Sequence, residues 1–251
     1  MIAATAPAPG LVDRHGRMIS YLRISVTDRC DLRCRYCMAE HMTFLPKSAI
    51  LSLEEIAVIA ERFIARGITK IRLTGGEPLV RRDIAELVKR LGHHIGAGLD
   101  ELTMTTNGNA LAQHAPAMVA AGIRRINVSL DSRDPETFRY ITRHGDVARV
   151  IEGILAARDA GLSVKINLVA LKGLNEHEIA PMLEWCVAER LDLTLIETMP
   201  LGQIDEDRAD RFVPLTAVFD ELAGRFSLVR DTHRSGGPAR YLRVEGYPDS
   251  R

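Results

Sequence analysis

Short runs of β-favouring residues alternate with amphipathic helical segments along most of this chain, and this alternation restricts the fold more than any other feature. The predicted strands are 22–27, 70–74, 102–106, 125–130, 164–171 and 193–199. Strands that are joined by helices run parallel, because a helical crossover returns the chain to the same end of the sheet. The sequence therefore predicts an α/β fold, either an open doubly wound sheet or a barrel.

The helical segments carry start and stop signals. In SLEEIAVIAERFIARG, Ser52 and Glu55 have the spacing of a capping box, and Gly67 supplies a left-handed stop. The same order of helix, glycine and strand recurs at Gly122 and Gly161. These signals support repeated units of one helix followed by one strand.

Five of the six predicted strands place polar residues on one face and apolar residues on the other, since side chains alternate along a strand. A doubly wound sheet is buried on both faces, so this pattern favours a partial barrel of (β/α)6 type with a polar interior. The alternatives are a solvated antiparallel sheet and individually satisfied core groups. The polar residues are Arg23, Ser25, Thr27, Arg72, Thr74, Thr103, Thr105, Asn127, Ser129, Lys165 and Asn167.

Three of these polar residues, Arg23, Arg72 and Lys165, are cations that would face one cavity. Burying cations without partners is costly, so the cavity requires an anionic group, and a phosphate-bearing substrate would supply it. Lys+Arg and Asp+Glu are equal at 33 each, which excludes a strong overall field for nucleic acid or membranes. Binding of an anion therefore depends on locally placed basic residues.

The length of 251 residues suits one large domain. We predict a flexible N-terminal arm over 1–17, a barrel over 18–226 and the start of a C-terminal region over 227–251. The Ala/Pro-rich beginning lacks the pattern of a signal peptide, and no apolar stretch approaches the length of a membrane span. Together with clustered cysteines, this predicts a cytoplasmic protein with a metal site instead of disulfides.

Three cysteines, Cys30, Cys34 and Cys37, form the spacing C-x-x-x-C-x-x-C directly after the first predicted strand. Thiolates are the usual ligands of a four-iron cluster, and three ligands leave one iron open for chemistry. The alternatives are a zinc site completed by His41 and a group of unligated structural thiols. Structural zinc usually takes separated pairs of ligands, so the tight triplet favours a catalytic cluster.

The sequence TGGEP follows the second predicted strand at 74–78. Its two glycines let the backbone approach a ligand closely, Glu77 offers a carboxylate to an ammonium group, and Pro78 fixes the exit of the turn. Alone this pattern is weak, because a tight turn between a strand and a helix has the same composition. Beside the cysteine triplet it indicates a binding site.

Both motifs resemble the radical S-adenosylmethionine (SAM) superfamily, and the chain is similar in particular to its GTP 3′,8-cyclase family of molybdenum-cofactor biosynthesis. The resemblance implies a lyase that cleaves SAM reductively to methionine and a 5′-deoxyadenosyl radical. This radical would remove the ribose C3′ hydrogen of GTP, and C3′ would then attack guanine C8. The matching blocks are LRISVTDRCDLRCRYCM, IRLTGGEPLVRRDI, TTNG, AGIRRINVSLDS, VKINLVALKGLN, IETMPLG and GGPARY.

The resemblance also implies ligands and partners. These are a 4Fe-4S cluster, SAM, GTP, a reductant protein and the downstream synthase of cyclic pyranopterin monophosphate. The sequence does not decide the oligomeric state, for which a homodimer is the candidate. No residue is assigned a catalytic role beyond binding. The implied binding residues are Cys30, Cys34 and Cys37 for the cluster, Tyr36, Gly76, Ser129 and Met199 for SAM, and Arg23, Arg72, Thr105 and Lys165 for GTP.

Two departures from the family pattern matter. Thr194 stands where the family usually has an arginine, so affinity for the cofactor is lowered or another residue compensates. The family also continues into a second cysteine triplet for a second cluster, whereas this sequence stops at Arg251 and its remaining cysteine, Cys186, fits a small buried residue. The expectation is a truncated cyclase that binds one cluster, cleaves SAM and turns over GTP weakly.

Two competing functions stay open at the level of sequence. One is another radical SAM enzyme, for instance one that modifies a peptide. The other is a zinc-stabilised nucleotide-binding module without catalysis. The three cations, which suit a triphosphate, argue against the first.

Overall fold

The computed structural model describes residues 10–199, 209–232 and 239–247. Six strands form one sheet in chain order, and each predicted strand is present with ends that differ by at most three residues. The α/β fold of parallel strands alternating with helices is therefore confirmed, and β1 and β6 are the ends of the strand order. The strands are β1 (Tyr21–Ser25), β2 (Lys70–Thr74), β3 (Glu101–Thr106), β4 (Arg125–Ser129), β5 (Ser163–Val169) and β6 (Asp192–Ile196).

Helices separate the strands along the chain, and a small antiparallel pair, β7 (Leu228–Arg230) and β8 (Leu242–Val244), follows them. Within the described ranges, no helix has both the length and the apolar character needed to cross a membrane. The helices are α1 (Leu53–Ile64), α2 (Ile84–Gly92), α3 (Leu111–Ala120), α4 (Pro135–Thr142), α5 (Val147–Asp159), α6 (Ile179–Ala188) and α7 (Leu215–Arg225).

The start and stop signals of the helices are confirmed. The Ser52 hydroxyl accepts a hydrogen bond from the Glu55 backbone N–H, and the Glu55 carboxylate accepts one from the Ser52 backbone N–H. Gly67, Gly122 and Gly161 have φ angles of 92°, 89° and 96°, the left-handed conformation that favours glycine. The chain can thus leave each helix sharply and enter the next strand.

The chain divides into two compact units, and the first of them contains β1, β2 and β3. These strands pair in parallel, with Leu22 opposite Ile71 and Ile71 opposite Leu102. Alternate apolar residues such as Leu73 and Met104 are fully buried, which gives this unit its core. The first unit comprises Met1–Asp31, Thr43–Asn127 and Glu152–Leu162.

The second unit contains β5 and β6, which pair in parallel with Lys165 opposite Asp192. Its core includes Phe138, Ile166 and Leu168. Cys186 on α6 is buried, as the sequence predicts. The second unit comprises Leu32–Met42, Val128–Ile151 and Ser163–Arg251.

The polar residues of the strands differ in exposure. Arg23 is exposed, Arg72 and Thr105 are half-buried, and Thr103 and Lys165 are buried. They do not form the uniformly solvated face that was one alternative from the sequence. A buried cation such as Lys165 instead needs a partner inside the protein or a ligand.

Some predictions fall partly outside the described residues. The motif IETMPLG includes 200–202 and the motif GGPARY includes 236–238, neither of which is described. The predicted arm over 1–17 is described only from residue 10, and the predicted C-terminal region over 227–251 is described in two pieces. The division into arm, barrel and C-terminal region therefore stays a prediction.

Candidate functional site

The cysteine loop follows β1, where the sequence places it. All four cysteines lie in the described residues, and none forms a disulfide. Cys30 and Cys34 are half-buried and Cys37 is exposed, while burial raises the pKa of the Cys186 thiol to about 12. The Cys37 backbone N–H donates to the Cys34 carbonyl at 2.9 Å, which folds the end of the loop into a turn. Three reduced thiols in one loop are a donor set that suits an iron–sulfur cluster.

A site for a single metal ion needs side chains that converge on one point. Among the described residues, no group of three or more His, Cys, Asp or Glu side chains converges in this way. A 4Fe-4S cluster does not require such convergence, because each of its cysteines binds a different iron. His41, the fourth ligand of the zinc alternative, is exposed.

The GGEP turn packs backbone to backbone against the start of the cysteine loop. The Gly76 N–H donates to the Thr27 carbonyl at 2.8 Å, and the Glu77 N–H donates to the Arg29 carbonyl at 2.8 Å. A Cβ on Gly76 would overlap the Arg29 carbonyl oxygen, and Gly75 has a φ of 143°. The glycines therefore allow a close approach to the protein's own loop, which the interpretation from sequence did not foresee.

Glu77 is buried, with 1% of its surface exposed. Its Oε1 accepts hydrogen bonds from the Leu79 N–H at 2.9 Å and the Thr106 hydroxyl at 2.7 Å, and its Oε2 accepts one from the Asn107 N–H at 2.5 Å. Glu77 therefore ties the GGEP turn to the end of β3. These donors leave part of the carboxylate's acceptor capacity unused, so the interpretation that Glu77 also offers its carboxylate to a ligand's ammonium group stays a prediction.

Burial raises the pKa of Glu77 to about 7 from its ordinary 4.5, against the three hydrogen bonds, which lower it. The folded protein therefore holds this proton more tightly than the unfolded chain. The resulting contribution to the free energy of unfolding is complete below pH 4.5 and disappears as the pH rises through about 7. The shift corresponds to about 3 kcal/mol at most.

We expect the free energy of unfolding, measured with urea, to fall between about pH 5 and about pH 8 because of this group. The matched control is Glu77→Gln, which cannot ionise and should show a flatter dependence on pH over the same range. Asp131 adds a slope of the same sign at lower pH, because burial raises its pKa from 3.8 to about 6. Equal slopes in the wild-type chain and Glu77→Gln would contradict the prediction.

A second network in the first unit holds Asp31, the neighbour of Cys30. The Asn107 side-chain Nδ2 donates to Asp31 Oδ1 at 2.6 Å, and the Asn109 Nδ2 donates to Asp31 Oδ2 at 2.9 Å. Sequence reasoning missed these residues. The polar sequence TTNGN at 105–109, at the end of the third strand, could have pointed to them. Side chains at the ends of parallel strands gather at one edge of a sheet.

In the second unit, Tyr36 from the cysteine loop binds a buried carboxylate. Its hydroxyl donates to Asp131 Oδ2 at 2.8 Å, and the Val169 N–H donates to Asp131 Oδ1 at 2.8 Å. Burial, with Asp131 nearby, raises the pKa of Tyr36 well above its ordinary value. Sequence reasoning also did not identify Asp131, although this residue lies two positions after the predicted SAM contact Ser129. The pair fixes the orientation of the tyrosine ring.

The same part of the loop is held by the end of α4. The Arg33 N–H donates to the Thr142 carbonyl at 3.0 Å, and the Arg35 Nε donates to the Tyr140 carbonyl at 2.8 Å. The Arg35 guanidinium also lies 4.2 Å from the centre of the Tyr140 ring. Arg143 donates from Nη1 to the Arg33 carbonyl at 2.8 Å. These contacts fix the backbone that carries Cys34 and Cys37.

The structure places the four predicted SAM residues on loops and strand ends. Gly76 lies in the GGEP turn of the first unit. In the second unit, Tyr36 and Ser129 are half-buried and Met199 is 56% exposed. Their contact with SAM stays a prediction.

Two of the predicted GTP residues have polar atoms that are buried without a hydrogen-bond partner in the described part of the chain. These atoms are Arg72 Nε and Thr105 Oγ1. Burial lowers the pKa of Arg72, and the neighbouring cations Arg125 and Arg23 lower it further. Glu101, the carboxylate nearby, accepts from Arg125 at 2.7 Å. Arg72 is therefore a cation whose charge a bound anion would stabilise.

Lys165, the predicted GTP residue on β5, has protein partners. Its Nζ lies 3.3 Å from the Tyr241 hydroxyl, 4.5 Å from the centre of the Tyr241 ring and 3.8 Å from Asp192 Oδ2. The expectation that these cations need an anionic partner or a bound ligand is therefore met within the protein for Lys165. For Lys165 the protein supplies a carboxylate and an aromatic ring, whereas Arg23 on β1 is exposed to water.

The chain is similar in sequence to known proteins. The model of the radical SAM superfamily matches residues 24–186. The chain is 58% identical to a GTP 3′,8-cyclase of Erythrobacter litoralis (strain HTCC2594) over 237 residues, which cover 94% of this chain and 71% of the relative. It is 57% identical to a GTP 3′,8-cyclase of Rhizobium etli (strain CIAT 652) over 240 residues, which cover 96% of this chain and 69% of the relative.

A solved structure of SuiB from Streptococcus suis bound to S-adenosylmethionine has a TM-score of 0.67 and 17% identity, and the match covers 82% of this chain and 47% of that chain. At this low identity the likeness shows a shared fold. The cysteine loop, the GGEP turn and the alternating parallel strands all lie within the span that the cyclases match. The chain belongs to the GTP 3′,8-cyclase family of the radical SAM superfamily.

Proposed function

We propose that this chain converts GTP to (8S)-3′,8-cyclo-7,8-dihydroguanosine 5′-triphosphate with reductive cleavage of SAM, as the first step of molybdopterin biosynthesis. The observation that carries the proposal is 58% identity over 237 residues to a GTP 3′,8-cyclase, a span that covers 94% of this chain. Membership of the radical SAM superfamily implies a 4Fe-4S cluster and SAM.

The residues proposed to hold the cluster are Cys30, Cys34 and Cys37. The chemistry that the cluster and SAM supply when bound is a one-electron cleavage of SAM to methionine and a 5′-deoxyadenosyl radical. We propose one cluster for a chain of this sequence, because three of its four cysteines lie in the loop and Cys186 is buried on α6. A thiol that is buried and protonated is a poor metal ligand.

The residues proposed to bind SAM are Tyr36, Gly76, Ser129 and Met199. Asp131 orients the Tyr36 ring, and the GGEP turn holds Gly76 against the start of the cysteine loop. Thr194 lies on β6 opposite Asn167 and is half-buried. Because threonine carries no charge, we keep the prediction that SAM binds more weakly than in relatives with arginine here, unless another residue compensates.

The residues proposed to bind GTP are Arg23, Arg72, Thr105 and Lys165. Arg72 Nε and Thr105 Oγ1 accept or donate no hydrogen bond among the described residues, and they can bond to phosphate or ribose oxygens. The charge of Arg72 is disfavoured by burial and by like charges, so a triphosphate would gain from neutralising it. Positioning of the ribose beside a reactive cofactor is then the main task of the protein.

Further partners belong to the same proposal. A one-electron reductant protein must supply the electron, and a cyclic pyranopterin monophosphate synthase would consume the product. The three clustered cysteines, which form no disulfide, support a reducing compartment such as the cytoplasm as the place of this reaction. For the oligomeric state, the candidate is a homodimer.

The test is anaerobic reconstitution of the full chain, followed by assays with GTP that carries deuterium at C3′. We expect about four irons per chain, 5′-deoxyadenosine formation that GTP stimulates, deuterium in that 5′-deoxyadenosine, and formation of the cyclised product. Deoxyadenosine that a candidate peptide stimulates and GTP does not would indicate another radical SAM enzyme. Zinc without iron in the purified chain would indicate the non-catalytic module.

The cation Arg72 can be tested separately. We expect Arg72→Gln to weaken GTP binding by about tenfold to a hundredfold, as for a lost hydrogen bond to a charged group. Iron content and SAM cleavage without GTP should not change. The matched control is Arg225→Gln on the exposed side of α7, where the guanidinium lies 3.6 Å from Glu184. Equal GTP affinity in both variants would show that Arg72 does not bind the nucleotide.

A further inference from the structure

We propose that Asn107 is a positioning residue that fixes Cys30 and directs a side-chain N–H toward its sulfur, and so raises the reduction potential of the cluster held by the loop. The inference rests on the proposed binding of that cluster. Asn107 itself would touch neither SAM nor GTP. It would act through Asp31 and Cys30.

The backbone N–H of Asn107 and both polar atoms of its side chain are engaged by the protein. Its backbone N–H donates to Glu77 Oε2 at 2.5 Å, and its side-chain Oδ1 accepts from the Asn109 N–H at 3.0 Å. Its Nδ2 donates to Asp31 Oδ1 at 2.6 Å. Because the carbonyl oxygen and the amide nitrogen are both held, the carboxamide cannot rotate without breaking a hydrogen bond.

The held carboxamide faces the first cysteine of the loop. Asn107 Nδ2 lies 3.9 Å from Cys30 Sγ, within the range of a hydrogen bond to sulfur. Asp31 follows Cys30 directly, and its second oxygen accepts from Asn109 Nδ2 at 2.9 Å. Two amides therefore fix the Asp31 carboxylate, and one of them also reaches the sulfur.

The physical effect of this arrangement concerns charge. Reduction of a cluster adds negative charge that its cysteine sulfurs share, and N–H groups aimed at those sulfurs stabilise the reduced form. Removal of the Asn107 amide therefore favours the oxidised form and makes the reduction potential more negative. A carboxylate in its place would add repulsion from Asp31 and from the thiolate.

The variants Asn107→Asp and Asn109→Asp form a matched pair. Each adds one negative charge to the same loop, and each removes one hydrogen bond to Asp31. Only the first removes the N–H that faces Cys30. Asn107→Ala removes the amide without adding charge, so it separates the loss of the hydrogen bond from repulsion.

The experiment measures the midpoint potential of the reconstituted full chain by EPR-monitored redox titration without SAM, together with iron per chain. We expect a more negative midpoint in Asn107→Asp, a smaller shift of the same sign in Asn107→Ala, and a midpoint close to wild type in Asn109→Asp. Loss of iron from Asn107→Asp but not from Asn109→Asp would also support the positioning role, because only the changes at Asn107 remove the contact to Cys30.

Two outcomes would overturn the inference. One is a midpoint that does not change in either Asn107 variant. The other is an equal shift, or equal loss of iron, in Asn107→Asp and Asn109→Asp, since the effect would then come from charge or loop folding in general. A wild-type chain that binds no iron would instead refute the proposed function, so the two failures can be distinguished.

Discussion

Replacement of Cys34 by alanine is expected to abolish assembly of the cluster and to reduce SAM cleavage by more than about 100-fold, the upper end of the loss caused by removing an outer-shell partner of a metal ligand. The reason is that two cysteines remain where three irons need thiolates. Iron per chain after anaerobic reconstitution and 5′-deoxyadenosine formation measure the two effects.

The fold should survive this change. Cys34 is half-buried in a loop, and the backbone around it is held by main-chain hydrogen bonds that alanine retains. We expect the free energy of unfolding of the apo chain to change by less than about 0.5 kcal/mol. Cys186→Ala on α6 is the matched control and should keep full iron content. Retention of iron by Cys34→Ala, or its loss from Cys186→Ala, would contradict the assignment of ligands.

The second large effect is expected for Gly76→Ala. The added methyl group would overlap the Arg29 carbonyl oxygen, and backbone atoms cannot move aside as a flexible side chain can. The turn would separate from the cysteine loop and weaken the hydrogen bond from Gly76 to Thr27. We expect a loss of about 3 kcal/mol in the free energy of unfolding, at the upper end for overpacked sites.

Urea unfolding of the apo chain measures this loss, and iron content after reconstitution shows whether the cysteine loop is disturbed. Gly224→Ala is the matched control, because nothing lies within 4 Å of its added Cβ and the residue is in α7. Alanine there should stabilise the chain by up to about 1 kcal/mol. A Gly76→Ala chain as stable as wild type would mean that the turn and loop are not in close contact.

The strand positions were predictable because short-range patterns encode them. Alternating apolar residues and the glycines that end helices lie within a few positions of each strand, and Gly67 and Gly161 have the left-handed conformation that the pattern requires. The exact ends were less predictable, since the last hydrogen bonds of a strand depend on its neighbours. Strand β6, for example, ends at Ile196, three residues before the predicted end at Met199.

The partners of polar side chains were not predictable for a different reason. Glu77 accepts hydrogen bonds from Thr106 and Asn107, which are about thirty positions away in the chain. Lys165 meets Asp192 only because β5 and β6 pair in one particular register. Nothing in a local pattern specifies such contacts, so the sequence indicated which residues matter and left open which groups they bind.

The burial of Cys186 has a practical consequence for work with this protein. Alkylating reagents attack thiolates, and a thiol inside α6 with a pKa of about 12 is almost entirely protonated at neutral pH. The cysteines that react rapidly in the native chain are therefore those of the loop. Counting fast-reacting thiols before and after iron loading should report how many molecules carry metal, without any need for colour, magnetism or turnover.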